Sequence, residues 1–520
     1  MMHTTIDTRR KPKRSFRIFL FFLLIIFIFF LFFLSHSLTF LSIHRTHQPP
    51  NNYIAVTGRQ LTHSDAAVSS FPTQKPWPFL PSLLPWRAHR TRLDSCEGYF
   101  GNGYTEKVDL LRREQKKSLG FRCFYSETLL SSVCEGGRIR MDPSKIVMSK
   151  GGEELETVIG RGEEEELPKF RIGAFQIEQG DGDRIVKGKR LVDTQFLNKY
   201  LPIGAIGHHT MRDLLQSIEI VGRGQLHCDQ WIENPTLLVT RFEYANVFHT
   251  TTDWYSAYAS SRVTNLPKRP DLVFLDGHCK TQLEETWNAL FSSLRYAKNF
   301  TNSVCFRHAI LPPLGYDMAM FKALSESFIC DGSAAVTLKQ NPDDRKTARI
   351  SEFGEMIKAV FGLTVDEHEV VKGVSGHAVL FVRREDYVAH PRHDGKVQSR
   401  LSNEEEIYDA LKKWSSTYTK CRINIINGLF AHMPMKDQLL AFQDASVVIG
   451  AHGAGLTHLV TATKNTKVIE IISSHYNRPH FKFISEWKGL EYHPIYLDGS
   501  YAPPSLVIDE LRSILQSLGC

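Results

Sequence analysis

The segment VVIGAHGAGLTHLVTA, residues 447–462, places three glycines and two histidines among apolar residues. Gly453 and Gly455 flank Ala454, so this glycine loop, residues 452–455, has little side-chain bulk and a ligand can approach its backbone. The loop joins a predicted strand to a predicted helix, where unpaired N–H groups and the positive end of the helix dipole favour a phosphate. We therefore predict a diphosphate site; the alternative is a tight turn whose glycines serve only packing.

Five side chains near the loop can complete such a site. His452 can donate to the same phosphate, and Thr457 lies in the first turn of the predicted helix. Glu470 ends the next predicted strand, where a carboxylate can bind two ribose hydroxyls or, alternatively, pair with a lysine. Arg383 and Arg384 end an earlier strand of the same lobe and can neutralise a diphosphate or simply form a solvated strand end.

A second set of polar residues follows the strand TLLVTR. Asn246, His249 and Asp253 are spaced i, i+3, i+7 and fall within about 60° of one helix face. Such a face suits a general base held by polar neighbours, and a solvated helix face is the alternative. Asp276 and His278 end the following strand, where they can contact an acceptor or form a turn.

The signals for a metal are weak. Asp181 and Asp183 form a D-x-D pair that could bind a divalent cation, but QGDGDR is typical of a turn. No C-x-x-C motif occurs in the chain. We therefore expect no metal site and no required cofactor.

Alternating strands and helices must position these residues. Strands are predicted at 236–241, 271–276 and 303–310, with helices at 244–261 and 282–298. The pattern recurs with strands at 377–384, 423–426, 446–450 and 467–472 and a terminal helix at 504–518. Short connections between such elements predict an α/β protein with two Rossmann-like, doubly wound parallel sheets, joined near 363–375. Ligands are expected at the carboxyl ends of the strands.

The N-terminal region predicts a membrane anchor. Residues 1–17 carry six Lys/Arg and one Asp, so they hold +5 of the net charge of +7, and the rest of the 520-residue chain is about +2. We predict a cytosolic tail at 1–17, a transmembrane signal-anchor at 18–41 and a Pro-rich stem at 42–93, with a cleaved signal peptide as the alternative. Basicity confined to the tail argues against nucleic-acid binding.

All nine cysteines follow the predicted anchor, in an oxidising compartment where disulfides form. An odd number leaves at least one thiol unless chains pair. We expect bridges among Cys96, Cys123 and Cys134. Asn299, in the sequon Asn-Phe-Thr, is a predicted glycosylation site.

Three segments resemble glycosyltransferase family 61: AHGAGLTH, the preceding MPMKDQLLAFQDASVVIG, and HCDQWIENPTLLVTRFEYANVFHTTTDWYSAY. The resemblance covers about residues 95–515. It implies a GT-B-like fold of two facing lobes, an acceptor-side lobe at 94–370 and a nucleotide-sugar-binding lobe at 371–520.

The resemblance also implies an activity. The DWYSAY region is similar to the branch of the family that transfers xylose from UDP-xylose, with inversion and without an essential metal, to the core β-mannose of N-glycans on glycoproteins in β-1,2 linkage. Members of that branch are type II proteins of the Golgi membrane with a lumenal catalytic head. A pentosyltransferase acting on wall polysaccharide, a metal-dependent GT-A transferase and a non-catalytic glycan-binding protein of the Golgi are alternatives.

Site residues follow from the resemblance position by position. His452, Gly453, Ala454, Gly455 and Leu456 match the donor-binding loop of the family, and Glu470 matches a position after the next helix. Asp253 corresponds to the base, with His249 as its rival. An insertion separates Arg383 and Arg384 from Arg400, so the arginine that faces the diphosphate stays open.

Overall fold

The computed structural model describes residues 103–112, 120–179, 188–204, 206–266, 269–323, 348–363, 376–476 and 478–520. The predicted tail, anchor and stem, Cys96 and the Asp181–Asp183 pair lie outside these ranges. None of the helices within them is both long and apolar enough to cross a membrane. The described residues of 103–395 and 400–520 form one compact unit, and residues 396–399, outside that unit, have no regular secondary structure.

The strands are β1 (Glu106–Leu111), β2 (Phe121–Ser126), β3 (Ser131–Gly136), β4 (Ile139–Met141), β5 (Ile146–Val147), β6 (Lys169–Phe170), β7 (Phe175–Glu178), β8 (Ile218–Val221), β9 (Gln230–Ile232), β10 (Thr236–Val239), β11 (Asp271–Phe274), β12 (Leu294–Tyr296), β13 (Val304–Phe306), β14 (Ala309–Leu311), β15 (His377–Arg383), β16 (Ile423–Leu429), β17 (Val447–Ala451), β18 (Lys467–Ser473) and β19 (Glu491–Leu497).

The α-helices are α1 (Glu163–Glu166), α2 (Thr194–Tyr200), α3 (Thr210–Ser217), α4 (Val247–Val263), α5 (Glu284–Leu290), α6 (Ala319–Ala323), α7 (Ile350–Val360), α8 (Glu404–Thr417), α9 (Met435–Asp444), α10 (His480–Lys488) and α11 (Pro504–Ser517). Two 3-10 segments matter for the site: the turn Gly315–Asp317 and the helix Ala454–Thr461.

The first sheet has the order β1-β2-β3-β14-β10-β11-β12. Strands β14, β10, β11 and β12 are parallel, and β1 to β3 form an antiparallel extension that meets β14. A second, mixed sheet of short strands has the order β8-β7-β4-β13-β9. Both sheets belong to an α/β fold, and the mixed sheet was not predicted from the sequence.

The third sheet is wholly parallel, with the order β16-β15-β17-β18-β19. Alternate residues of each strand point to opposite faces. Phe381 and Ile449 pack against α8 and α11 on one face, whereas Leu380 and Val448 join the core that includes α9 and α10 on the other. Burial on both faces explains the nearly continuous apolar runs of these strands.

One hydrophobic core connects the third sheet to the first. It contains Leu380 and Val448 of the third sheet, Leu237 and Leu272 of the first, and Trp254 of α4 between them. The helix Ala454–Thr461 contacts α4, α7, α9 and α10. The glycine loop is therefore held at a junction of packed helices.

Several predicted elements have different bounds in the structure. The helix predicted at 282–298 ends at Leu290, because the chain continues as a separate strand, β12. The strand predicted at 303–310 is divided into β13 and β14, which pair in different sheets. The helix predicted after the glycine loop is a 3-10 helix.

Three disulfides link the described cysteines. Cys123 and Cys134 join opposite positions of β2 and β3, which confirms one predicted bridge. Cys228–Cys305 and Cys421–Cys520 were not predicted. Among the described cysteines Cys279 has a free thiol, and it is buried.

Candidate functional site

The glycine loop lies where the connections of the third sheet diverge. The chain passes from β15 outward to β16 on one side, and from β17 outward to β18 on the other. Such a reversal opens a crevice beyond the carboxyl ends of the two central strands, the usual ligand position in open α/β sheets. Arg384 directly follows β15 and His452 directly follows β17, so both residues border this crevice.

The glycines of the loop allow close approach and are not needed for an unusual backbone conformation. Gly453 is extended, with φ of 178°. A Cβ atom on Gly453 would lie 2.6 Å from Nη1 of Arg384, and one on Gly455 would lie 2.9 Å from Cγ1 of Val382. Gly453 thus makes room for a guanidinium at the loop, while Gly455 serves the packing of the loop against β15.

The residues of the predicted donor site differ in burial along the glycine loop and the 3-10 helix that follows it. Gly453, Ala454 and Gly455 are half-buried, and their N–H groups precede the first bond within the helix, from Leu456 N to Gly453 O at 3.0 Å. Leu456 and Thr457 are fully buried. Their side chains belong to the core, so neither fits the predicted role of a direct side-chain ligand. The Thr457 hydroxyl has no hydrogen-bond partner among the described residues.

His452 is held by a buried carboxylate. Its Nδ1 lies 2.5 Å from Oε1 of Glu470, and the Tyr492 hydroxyl donates to Oε2 of Glu470 at 2.6 Å. Glu470 is completely buried. Both of its oxygens are engaged, so this geometry does not support Glu470 as a direct ribose ligand. The carboxylate instead accepts Nδ1–H and leaves Nε2 of His452 to face other groups.

The two predicted arginines diverge after β15. Arg383 pairs with Glu405 and donates to Asn427 at 3.4 Å, so its guanidinium connects α8 and β16 and does not fit the predicted diphosphate contact. The guanidinium of Arg384 lies against Gly453, and its Nε has no hydrogen-bond partner within the described ranges. Burial lowers the pKa of Arg384.

Arg400 joins Arg384 at the crevice. Its guanidinium stacks 3.4 Å from the ring centroid of Tyr476, which follows β18. Burial, and next the charge of Arg384, lowers the pKa of Arg400 to about 10. Two arginines whose charges repel each other in a half-buried crevice are a suitable environment for an anion. An insertion separates Arg400 from Arg384 in the sequence. The sequence alone therefore did not predict that the two guanidinium groups lie close together.

The N-terminal part of α4 presents His249 at the junction. Asn246 caps the helix by accepting from Phe248 N at 2.9 Å, so it has a structural role. The ring of His249 stacks on Tyr316 at 4.9 Å, and its Nδ1 is buried without a hydrogen-bond partner in the described part of the chain. Burial, and next the charge of Arg478, lowers the pKa of His249 to about 4, so the imidazole is neutral at pH 7.

Asp253 lies one turn further along α4 and is covered. Gly315 N donates to its Oδ1 at 3.2 Å, and a Cβ on Gly315 would lie 2.4 Å from that oxygen. The carboxyl borders a small cavity of about 10 Å³ lined mainly by Leu and Pro side chains. Burial raises the pKa of Asp253 well above its ordinary value. The turn Gly315–Asp317 therefore covers Asp253, whereas His249 on the same helix is only half-buried.

The predicted acceptor residues are part of a buried ionic network. Asp276 is fully buried and bonds Arg241 at 2.7 Å, and this guanidinium holds the pKa of Asp276 below its usual value against the effect of burial. His278 is also fully buried, between Glu166 at 3.0 Å and the carbonyl of Arg241 at 3.0 Å. Neither residue can reach an acceptor in this geometry, so the predicted acceptor contacts at Asp276 and His278 are not supported.

Two further predictions concern modification and metals. Asn299 is exposed at the end of a 3-10 turn, and its glycosylation stays a prediction. His377 approaches Cys421 and Cys520, but a disulfide joins the two cysteines and removes their thiolates as ligands. No other cluster of potential metal ligands was found within the described ranges.

Comparison with known proteins gives a consistent assignment. The chain is 62% identical over 455 residues to "Beta-1,2-xylosyltransferase RCN11" of Oryza sativa subsp. japonica, covering 86% of this chain and 84% of that protein. It is 58% identical over 480 residues to "Beta-1,2-xylosyltransferase" of Arabidopsis thaliana, covering 86% and 90% respectively.

A more distant relative extends the comparison to another transferase. The chain is 22% identical over 274 residues to "EGF domain-specific O-linked N-acetylglucosamine transferase" of Gallus gallus, covering 51% of this chain and 45% of that protein. The family profile described as Glycosyltransferase 61 matches residues 208–469, a range that holds α4 and the glycine loop and ends one residue before Glu470. The chain belongs to glycosyltransferase family 61.

Proposed function

We propose that the chain is an inverting glycosyltransferase that transfers xylose from UDP-xylose, in β-1,2 linkage, to the core β-mannose of N-glycans. The observation that carries the proposal is the crevice between β15 and β17, where the glycine loop meets Arg384 in a chain closely similar to two proteins named β-1,2-xylosyltransferase. We further propose a GT-B-like arrangement in which the third sheet binds the donor and the first sheet lies on the acceptor side.

The donor diphosphate is proposed to bind the N–H groups of Gly453, Ala454 and Gly455. Arg384 and Arg400 supply the positive charge, and His452 offers a further donor. A charge-assisted hydrogen bond contributes roughly 1.5–3 kcal/mol. Several such bonds, with the positive helix end, suffice in principle for a diphosphate without a metal. We therefore keep the expectation that the reaction needs no metal cofactor.

The proposed reaction is a single displacement. The acceptor hydroxyl forms a bond to the anomeric carbon while the bond from that carbon to the phosphate oxygen breaks, and its electron pair leaves with UDP. The acceptor proton goes to a base on the opposite side of the sugar. Inversion follows from attack opposite the leaving group.

We assign the base to His249 in preference to Asp253. His249 is half-buried and neutral at pH 7, and Nε2 is the ring nitrogen left accessible to a substrate, whereas the carboxyl of Asp253 is covered by Gly315. Because the positive charge of Arg478 contributes to the low pKa of His249, a bound diphosphate near Arg478 would raise that pKa towards the value suited to a base.

The proposed location is the Golgi membrane, with a single-pass type II anchor at residues 18–41 and a lumenal head. The basic tail and the apolar run support this topology. Three disulfides among the described residues support an oxidising compartment for the head.

The test of the function is transfer by the purified full chain. The chain in detergent is incubated with single UDP-sugars and a GlcNAc-terminated N-glycan, and the glycan mass is measured. A gain of one pentose with UDP-xylose, released by a β-xylosidase, is the expected result. No gain with UDP-xylose, or an equal gain of hexose from UDP-glucose, would contradict the proposed donor.

A further inference from the structure

His480 lies between the glycine loop and the helix that carries the proposed base. It is the first residue of α10, which packs against the helix Ala454–Thr461. Its ring centroid is 5.7 Å from that of His452 and 5.0 Å from that of Phe248. Phe248 directly precedes His249, so His480 faces both halves of the proposed reaction centre.

The ionisable groups that act on His480 are all basic. No hydrogen bond or ion pair among the described residues involves its ring nitrogens. The groups that act on it electrostatically are His452, Arg478 and His249, and Glu470, the carboxylate bonded to His452, has both oxygens engaged. Burial, and next these neighbours, lowers the pKa of His480 to about 3, so the ring is neutral and keeps one N–H donor.

His480 is half-buried, and its ring nitrogens have no protein partner among the described residues, so they are accessible to a ligand. The ligand that suits basic surroundings is an anion. In the proposed reaction the sugar lies between the glycine loop and His249 of α4, and His480 lies on that side of the loop, so we take the phosphate nearest to His480 to be the one bonded to the sugar. This assignment of His480 to one of the two phosphates rests on the proposed function.

We propose that His480 donates a hydrogen bond to the β-phosphate of the nucleotide sugar, across from the glycine loop. The bond holds the leaving oxygen in line with His249. It also strengthens as negative charge develops on that phosphate during transfer. His480 thereby binds the donor and stabilises the leaving group.

The test separates the two phosphates. The variant His480→Phe keeps an aromatic ring against Phe248 and His452 but lacks the N–H group. Affinities of the full chain in detergent for UDP, UMP and uridine are measured by calorimetry. We expect about tenfold weaker binding of UDP and less than a twofold change for UMP and uridine. The matched control is His475→Phe, an exposed histidine after β18, which should bind all three ligands as wild type does.

A second variant guards against a change in packing. His480→Gln retains an N–H donor and should bind UDP more tightly than His480→Phe does. This result tests the N–H group even if the Phe side chain disturbs the packing. Unchanged UDP affinity in His480→Phe, or equal losses for UDP, UMP and uridine, would overturn the inference while leaving the proposed function intact. Absence of UDP binding by the wild-type chain would overturn the proposed function itself.

Discussion

The carboxylate of Glu470 lies 2.5 Å from Nδ1 of His452, and this pair links β18 to the residue that follows β17. The register of the two strands, with Gly450 opposite Glu470, brings the groups together. Tyr492 of the next strand completes the arrangement. Glu470 therefore holds the imidazole of His452 in position at the start of the glycine loop.

The first prediction distinguishes positioning from ribose binding. Glu470→Gln preserves shape but removes the negative charge that orients His452, so we expect about three- to tenfold weaker UDP binding. Affinities for UDP and 2′-deoxy-UDP, measured by calorimetry, should fall by the same factor. A loss for UDP alone would mean that Glu470 contacts the ribose directly.

The second prediction concerns the two consecutive arginines. Arg384→Gln removes a charged donor at the glycine loop and should weaken UDP binding about 10- to 100-fold. Arg383→Gln is the matched control: its guanidinium pairs with Glu405, so UDP affinity should change less than about threefold. Equal effects of the two substitutions would refute the assignment of Arg384.

The third prediction separates the two candidate bases. His249→Gln should lower kcat about 10²- to 10⁴-fold while UDP affinity stays within about threefold. Asp253→Asn keeps an oxygen for the N–H of Gly315 and should retain most of the activity. Single-turnover rates and UDP titrations measure both quantities. Loss of turnover in Asp253→Asn, with an active His249→Gln, would transfer the role to Asp253.

The fourth prediction concerns stability at mildly acidic pH. Burial lowers the pKa of His249, His390 and His458 to about 4 and that of His480 to about 3, against about 6.5 for an unfolded histidine. The unfolded chain therefore binds more protons between these values, and the free energy of unfolding falls as pH decreases from about 6.5 towards 4.

Thermal unfolding at pH 7.5 and pH 5 checks this sign. The raised pKa values of Asp253 and Glu404 act in the opposite direction, but four imidazoles should outweigh two carboxyls. The substitution His458→Gln removes one of the four imidazoles, and because the two carboxyls oppose them it should reduce the net slope by more than about a quarter. A melting temperature that is constant or higher at pH 5 would refute the prediction.

The central strands of the third sheet were predictable from the sequence, because strands buried on both faces read as continuous apolar runs. Strand β19, with exposed Glu491, Pro494 and Tyr496, lacks such a run and was missed. The strands of the mixed sheet have only three or four residues, too few for a period to be recognised.

The site was predictable in part for a related physical reason. The end of a strand can be read from the sequence, so the glycine loop and Arg384 were identified as neighbours of a crevice. What covers a strand end cannot be read in this way. Arg241 and Glu166 converge on Asp276 and His278 from distant parts of the chain, and they convert a predicted acceptor contact into a buried network.

A structure of the protein with UDP bound is the most direct test of the account. We predict the diphosphate within hydrogen-bond distance of the N–H groups of Gly453, Ala454 and Gly455, with the Arg384 guanidinium on the same phosphates. A diphosphate bound elsewhere, with the crevice between β15 and β17 empty, would contradict it.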